Sequence, residues 1–171
     1  MSRSDVITFK GNSMTLNGDD VATGQSAPSF TVHYMDEGIK TLTLDDLKGK
    51  PSIVSVVPSI DTPVCAIQTK RFNQELGSIG DKINAVTISR DTPFAAARFC
   101  GAEDVQMRVA SDYKDHNFGK SFGVEIEQLG LLTRSVFVLD ADGKVAYKQI
   151  VPEVTDEPDY DAALAALRML L

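Results

Sequence analysis

The sequence predicts one α/β domain covering residues 1–171, with a mixed central sheet flanked by helices and preceded by an N-terminal β-hairpin extension. Three observations predict it. A chain of 171 residues, 43% hydrophobic and 24% charged, suits a globular protein with one full-sized core. Two β-branched runs, 52–57 and 83–89, bracket a helix-forming stretch, which is the pattern of a βαβ unit with parallel strands. Further on, 135–139 and 145–150 flank Asp140-Ala141-Asp142-Gly143, and the Asp-Gly pair at that spacing suits an antiparallel hairpin. A parallel unit joined to an antiparallel hairpin requires a mixed sheet.

The elements follow in order. Residues 6–10 and 13–17 flank Gly11-Asn12 and read as a hairpin. Ala27-Pro28 opens a strand at 29–34, where Phe30, Val32 and Tyr34 alternate with polar residues. A short strand at 40–44 ends in the turn Asp45-Asp46-Leu47-Lys48-Gly49. The run Ser52-Ile53-Val54-Ser55-Val56-Val57 reads as a buried strand and feeds a helix over 64–76. After the strand at 83–89, Asp91-Thr92-Pro93 caps a second helix over 94–100, which Gly101 is expected to end. A short strand at 107–110, one or two helical turns within 112–119, the hairpin, and an Ala/Leu-rich helix over 159–171 complete the chain. No repeat, low-complexity tract or linker divides it, and the order of elements resembles the thioredoxin fold with additions at the N-terminus.

Charge and composition narrow the function. The net charge is −7, with 24 acidic against 17 basic residues, which argues against a general binder of nucleic acid or anionic membrane. No apolar run reaches the length of a transmembrane helix. Met1-Ser2-Arg3-Ser4-Asp5 carries no apolar signal core, so the expected location is cytoplasmic. Two cysteines are too few for a disulfide scaffold, and in a reducing compartment such a pair is either inert or redox-active. A bridge between them would be worth about 4 kcal/mol by chain entropy, so stability alone does not separate a staple from a catalytic disulfide.

The most informative stretch is Pro58-Ser59-Ile60-Asp61-Thr62-Pro63-Val64-Cys65. Thr62 suits the N-cap, and Pro63 then falls at the first helical position, where a missing N–H costs nothing. Cys65 becomes the third helical residue, among amides without intrahelical partners and at the positive end of the dipole. An anionic sulfur is favoured there, which makes Cys65 a candidate nucleophile rather than a small core residue. Arg71, Arg90, Arg98 and Arg134 all compete to be its cationic partner, and spacing alone does not choose among them.

Pro58-x-x-x-Thr62-x-x-Cys65 matches the peroxiredoxin signature. Further matches are Thr8-Phe9-Lys10-Gly11-Asn12, Asp61-Thr62-Pro63-Val64-Cys65, Arg98-Phe99-Cys100, the run from Leu131-Leu132-Thr133-Arg134 to Asp140, and Glu157-Pro158-Asp159-Tyr160. As an ordered set spanning nearly the whole chain, they resemble the thiol peroxidase branch of the peroxiredoxins, atypical two-cysteine enzymes. The resemblance implies that Cys65 is the peroxidatic cysteine, oxidised by a hydroperoxide to a sulfenic acid. Thr62 would hydrogen-bond the peroxide, Pro58 would shield the site, and Arg134 would fix the thiolate and polarise the peroxide. It makes Cys100 the resolving cysteine, closing an intramolecular Cys65–Cys100 disulfide. Bridging requires Cα atoms within about 7 Å, so the Cys65 turn, the Cys100 helix, or both are expected to unwind locally during turnover. Thioredoxin is the implied reductant, a homodimer the implied assembly, and no bound cofactor is implied.

Other readings are weaker. His33 and His116 lack the short ligand spacing that a zinc site with the cysteines would show, so no metal is expected. His116 as the base of a Cys-His hydrolase sits in a polar stretch that reads as surface. A general thiol–disulfide oxidoreductase would carry Cys-x-x-Cys, but Ile67 and Gln68 follow Cys65 without a second thiol. A non-enzymatic thioredoxin-like module with a Cys65–Cys100 redox switch is the rival from another class, and it has no need of Thr62 or Arg134.

Overall fold

The computed structural model describes residues 1–171. The chain opens with the antiparallel pair β1 (Ser2–Phe9) and β2 (Asn12–Asn17). Their turn is Lys10-Gly11, one residue earlier than expected, with φ values of 51° and 82°. Two successive left-handed residues match the twist of a tight hairpin, and glycine takes the second place while Asn12 already pairs with Phe9. A second hairpin, β3 (Thr31–Met35) and β4 (Ile39–Thr43), lies at an edge of the main sheet. The expected turn at 45–49 contains a single helical turn, α1 (Leu44–Leu47), where the Asp46 carboxylate accepts from the N–H and hydroxyl of Thr43.

β5 (Ser52–Val56), α2 (Pro63–Gly77), a 3₁₀ turn (Gly80–Lys82) and β6 (Asn84–Ser89) form the predicted parallel unit. α3 (Pro93–Glu103) and β7 (Arg108–Ser111) extend it. Gly101 does not end α3, which runs on to a left-handed Asp104 (φ 54°) whose N–H reaches the Cys100 carbonyl. α4 (Asn117–Ser121) starts later than expected, behind a left-handed His116. Two strands of two residues each, β8 (Glu125–Ile126) and β9 (Leu131–Leu132), precede the predicted hairpin β10 (Ser135–Leu139) and β11 (Val145–Ile150). The chain closes with α5 (Tyr160–Arg168), capped by Asp159, whose side chain accepts from Ala162 N–H at 3.0 Å.

Seven strands form the central sheet in the order β11-β10-β5-β6-β7-β3-β4, with β5, β6 and β7 parallel and the remaining pairs antiparallel. Alternation sends Val54, Val56, Phe137 and Leu139 to one face, against Phe30, Phe118 and Phe122. It sends Ile53, Val136 and Val138 to the other, against Phe72 and Leu76 of α2 and Leu164 and Leu167 of α5. Each such side chain contributes about 1.5–3 kcal/mol on burial, so strand register and helix placement are fixed together. β1, β2, β8 and β9 make a separate four-stranded sheet.

Two features of this frame matter for chemistry. α2 and α3 both start at the carboxyl ends of neighbouring parallel strands, where open α/β sheets place their sites. The N-terminal hairpin also docks on the segment after β11. Thr8 N–H donates to Pro152 O at 2.7 Å and Val154 N–H to Thr8 O at 2.9 Å.

Candidate active site

β5 ends at Val56, and Val57 N–H reaches the Ile88 carbonyl of the neighbouring strand at 3.0 Å, so the chain leaves the sheet at a buried Pro58. The loop then turns to Thr62, which holds the N-cap position of α2 in extended conformation. Its side chain does not cap the helix, contrary to expectation. The hydroxyl donates instead to Ser59 O at 2.9 Å, three residues back, so it folds the loop on itself and keeps its own lone pairs free. Pro63 begins the helix, and Cys65 is its third residue, fully buried.

Arg134 lies between β9 and β10 and is 2% exposed. Its guanidinium is held at three points. Nε donates to Val154 O at 2.7 Å, Nη1 to Gln68 Oε1 at 2.9 Å, and Nη2 to Cys65 Sγ at 3.3 Å. Gln68 is fully buried, and its Nε2 donates to Ser55 Oγ at 2.8 Å and Val56 O at 3.4 Å. Thr69 Oγ1 donates to Cys65 O at 2.9 Å. No carboxylate lies within ion-pair distance of Arg134. A buried cation left so would be strongly unfavourable, and the sulfur of Cys65 is the one group in its grasp that can carry the opposite charge.

Two of the competing arginines are occupied elsewhere and the third is exposed. Arg71 lies over the Tyr160 ring at 4.3 Å and near Glu75 and Asp161, each at 3.9 Å. Arg90 is buried against Asp112 and Glu125, and Arg98 is exposed.

Cys100 sits half-buried on α3 and packs against a small apolar cluster that includes Cys65, Val57, Ile60 and Ala96. Both thiols are free. Burial pushes the Cys100 thiol up from its ordinary value of 9.0. A cavity of about 350 Å³ opens beside it, lined by Tyr34, Met35, Ala97 and Val109 among others. His33 is buried near Tyr113 and His116 is exposed, and the three bonds of the Arg134 guanidinium involve neither.

Gln68, Ser55 and the Val154 carbonyl are the parts of the site that sequence reasoning missed. Gln68 carried one usable signal, because it lies three residues after Cys65 and therefore on the same helix face.

Residues 22–164 match the Redoxin family model. The chain is 49% identical to "Thiol peroxidase" of Bacillus subtilis (strain 168), covering 96% of this chain and 98% of that protein. It is 48% identical to "Thiol peroxidase" of Staphylococcus aureus (strain MRSA252), covering 95% and 97%. Among solved structures, a peroxiredoxin-like protein from Aquifex aeolicus superposes with a TM-score of 0.89 at 37% identity, over 98% of each chain. A thiol peroxidase from Chromobacterium violaceum superposes with a TM-score of 0.83 over 95% of each chain, and at 21% identity it speaks to the fold alone.

Proposed function

The chain belongs to the Redoxin family, among its thiol peroxidases, and from that premise we propose how the Cys65–Arg134 centre works as a thiol-dependent, peroxiredoxin-type peroxidase. The observation that carries the proposal is the buried guanidinium aimed at a buried sulfur, with no carboxylate to satisfy it.

In the first step the Cys65 thiolate attacks the terminal oxygen of a hydroperoxide. An S–O bond forms, the O–O bond breaks, and sulfur becomes a sulfenic acid while the leaving alkoxide takes a proton from solvent. Thr62 already donates its hydroxyl hydrogen to Ser59 O, so its oxygen faces the substrate as an acceptor for the hydroperoxide O–H. Arg134 stabilises the thiolate beforehand and the negative charge on the breaking O–O bond as it develops. Its fork is preorganised by Gln68 and Val154, so no rearrangement is required at the moment of reaction. Pro58 walls the site without adding a competing donor.

In the second step the Cys100 sulfur displaces the sulfenic oxygen as water, and a Cys65–Cys100 disulfide forms. A thiol is already protonated at neutral pH, and burial pushes Cys100 further that way, which suits a thiol that should not compete for peroxide and should act only after it is freed. Since α3 buries only Pro93 and Ala96 along its length, we expect it to unwind, with the Cys65 turn shifting toward it. A dithiol protein of the thioredoxin type then returns two electrons and two protons by thiol–disulfide exchange, and no bound cofactor takes part.

We place the cycle in the cytoplasm, where such reductants operate. We further propose a homodimer, because Ile67 and Phe94, 50% and 66% exposed, leave apolar surface on the two cysteine-bearing helices. A purely structural switch would have no use for Arg134 at the sulfur.

Thiol counting and intact mass after one equivalent of hydrogen peroxide test the cycle. The wild type should lose both thiols and two hydrogens, Cys100→Ser should gain one oxygen on Cys65, and Cys65→Ser should stay reduced. Rapid oxidation of the Cys65→Ser protein would overturn the assignment of the two thiols.

A further inference from the structure

We propose that Asp91 is a positioning residue that fastens the loop before Cys65 to the foot of the Cys100 helix, and thereby sets the balance between peroxide attack and disulfide closure. The inference rests on the Cys65–Cys100 cycle proposed above. Asp91 lies between β6 and α3, next to the N-cap Thr92. Its Oδ1 accepts from Ser59 Oγ at 2.7 Å, and its Oδ2 accepts from Ile60 N–H at 2.9 Å and Ser89 Oγ at 2.7 Å. Ser59 Oγ in turn accepts from Asp61 N–H at 3.2 Å, and the Ser59 carbonyl takes the Thr62 hydroxyl. One carboxylate thus holds Ser59, whose carbonyl takes the Thr62 hydroxyl, and Ile60, the next residue of the same loop. It is occupied by three donors and pairs with no cation, so it acts as a clasp rather than as an acid or base.

The foot itself is anchored. Arg90 Nη1 donates to Gly130 O at 2.7 Å, Nε to Asp112 Oδ2 at 3.4 Å, and Nη2 pairs with Glu125. Beyond that foot α3 is lightly packed, with Phe94 66% exposed. Closing the disulfide unwinds α3 and shifts the Cys65 turn, and movement of that loop breaks the bonds to Asp91. The clasp therefore holds the arrangement that attacks peroxide and opposes the one that resolves.

The test uses the full chain and separates the two steps. Cys65 oxidation is timed by rapid mixing with hydrogen peroxide in a Cys100→Ser background, and disulfide closure is timed with Cys100 present. Asp91→Ala should slow oxidation about tenfold, as a small misplacement of the loop would, while disulfide closure speeds up and over-oxidation falls. Asp91→Asn should lie near the wild type, because its amide oxygen keeps the Ile60 and Ser89 bonds and Ser59 Oγ can accept from its NH₂. Ser59→Ala opens the same clasp from the loop side and should move both rates in the directions of Asp91→Ala. Rates that stay unchanged, or that fall together in step with lost thermal stability, would overturn the proposal. Those outcomes leave a wild-type disulfide intact, whereas a wild type that forms none would sink the cycle itself and the clasp with it.

Discussion

Arg134 Nη2 lies 3.3 Å from Cys65 Sγ while Nη1 is held by Gln68 Oε1 at 2.9 Å, so a neutral amide steers a buried cation onto a sulfur. The neutrality of Gln68 matters. A carboxylate at that point would satisfy Arg134 directly and weaken its hold on the sulfur. Gln68→Glu is therefore expected to lower the iodoacetamide reactivity of Cys65 at pH 7 and its rate with hydrogen peroxide, each about tenfold. Gln68→Met would leave a guanidinium donor unsatisfied and cost about 1–3 kcal/mol in urea unfolding. Unchanged Cys65 reactivity in the Glu variant would mean that Arg134 does not govern the sulfur.

Thr62 offers a cleaner separation of chemistry from folding. Thr62 is exposed and its hydroxyl bonds only the Ser59 carbonyl, so Thr62→Val should cost about 1 kcal/mol of stability. Peroxide reactivity should fall about a hundredfold, with Thr62→Ser close to wild type. Equal reactivity in all three proteins would remove Thr62 from the site.

Burial raises the Cys100 thiol, and Cys65→Ser isolates it. In the folded variant, alkylation of the single remaining thiol should be slow at pH 7. It should quicken as the pH rises above the ordinary thiol range, and quicken again on unfolding in urea. A folded-state rate equal to the unfolded one would show that Cys100 is already free of its packing.

The elements that place Cys65 were legible because they depend on local chemistry. A β-branched run gives β5, and Thr62-Pro63 starts the helix two residues before the sulfur. What the Thr62 side chain does was not legible, since its hydroxyl has a choice between an amide ahead and a carbonyl behind. Nor was the selection of Arg134 among four arginines, which the family resemblance supplied. In the structure it follows from burial and from carboxylates, Asp161 beside Arg71 and Asp112 beside Arg90, placed there by distant parts of the chain. Gln68 looked like an ordinary polar helix residue, and Val154 contributes a backbone carbonyl that no side-chain pattern announces. β8 and β9 are too short for periodicity to register.

Glu153 joins the N-terminal hairpin to the segment that steers Arg134. Its carboxylate accepts from Thr155 N–H and Gly11 N–H, each at 2.9 Å, and from Thr8 Oγ1 at 2.8 Å, next to the Val154 carbonyl that holds Nε. These bonds, led by that from Thr155, lower its pKa from 4.5 to about 2. A carboxyl depressed on folding contributes stability in full above its unfolded value and loses it as pH falls toward the folded one. The stability gap between wild type and Glu153→Gln should therefore be constant from pH 7 to about 5 and close between 4.5 and 2, read by urea midpoints. A gap that stays constant through that window would mean that the carboxylate does not hold the hairpin.

The most direct test of the central claim is the second-order rate of Cys65 oxidation by hydrogen peroxide in reduced, folded Arg134→Gln and Arg134→Lys. With the charge gone, Gln should be slower by about two to three orders of magnitude, and Lys, which keeps the charge but not the fork, should fall between Gln and wild type. A folded Arg134→Gln protein that reacts at the wild-type rate would contradict the account.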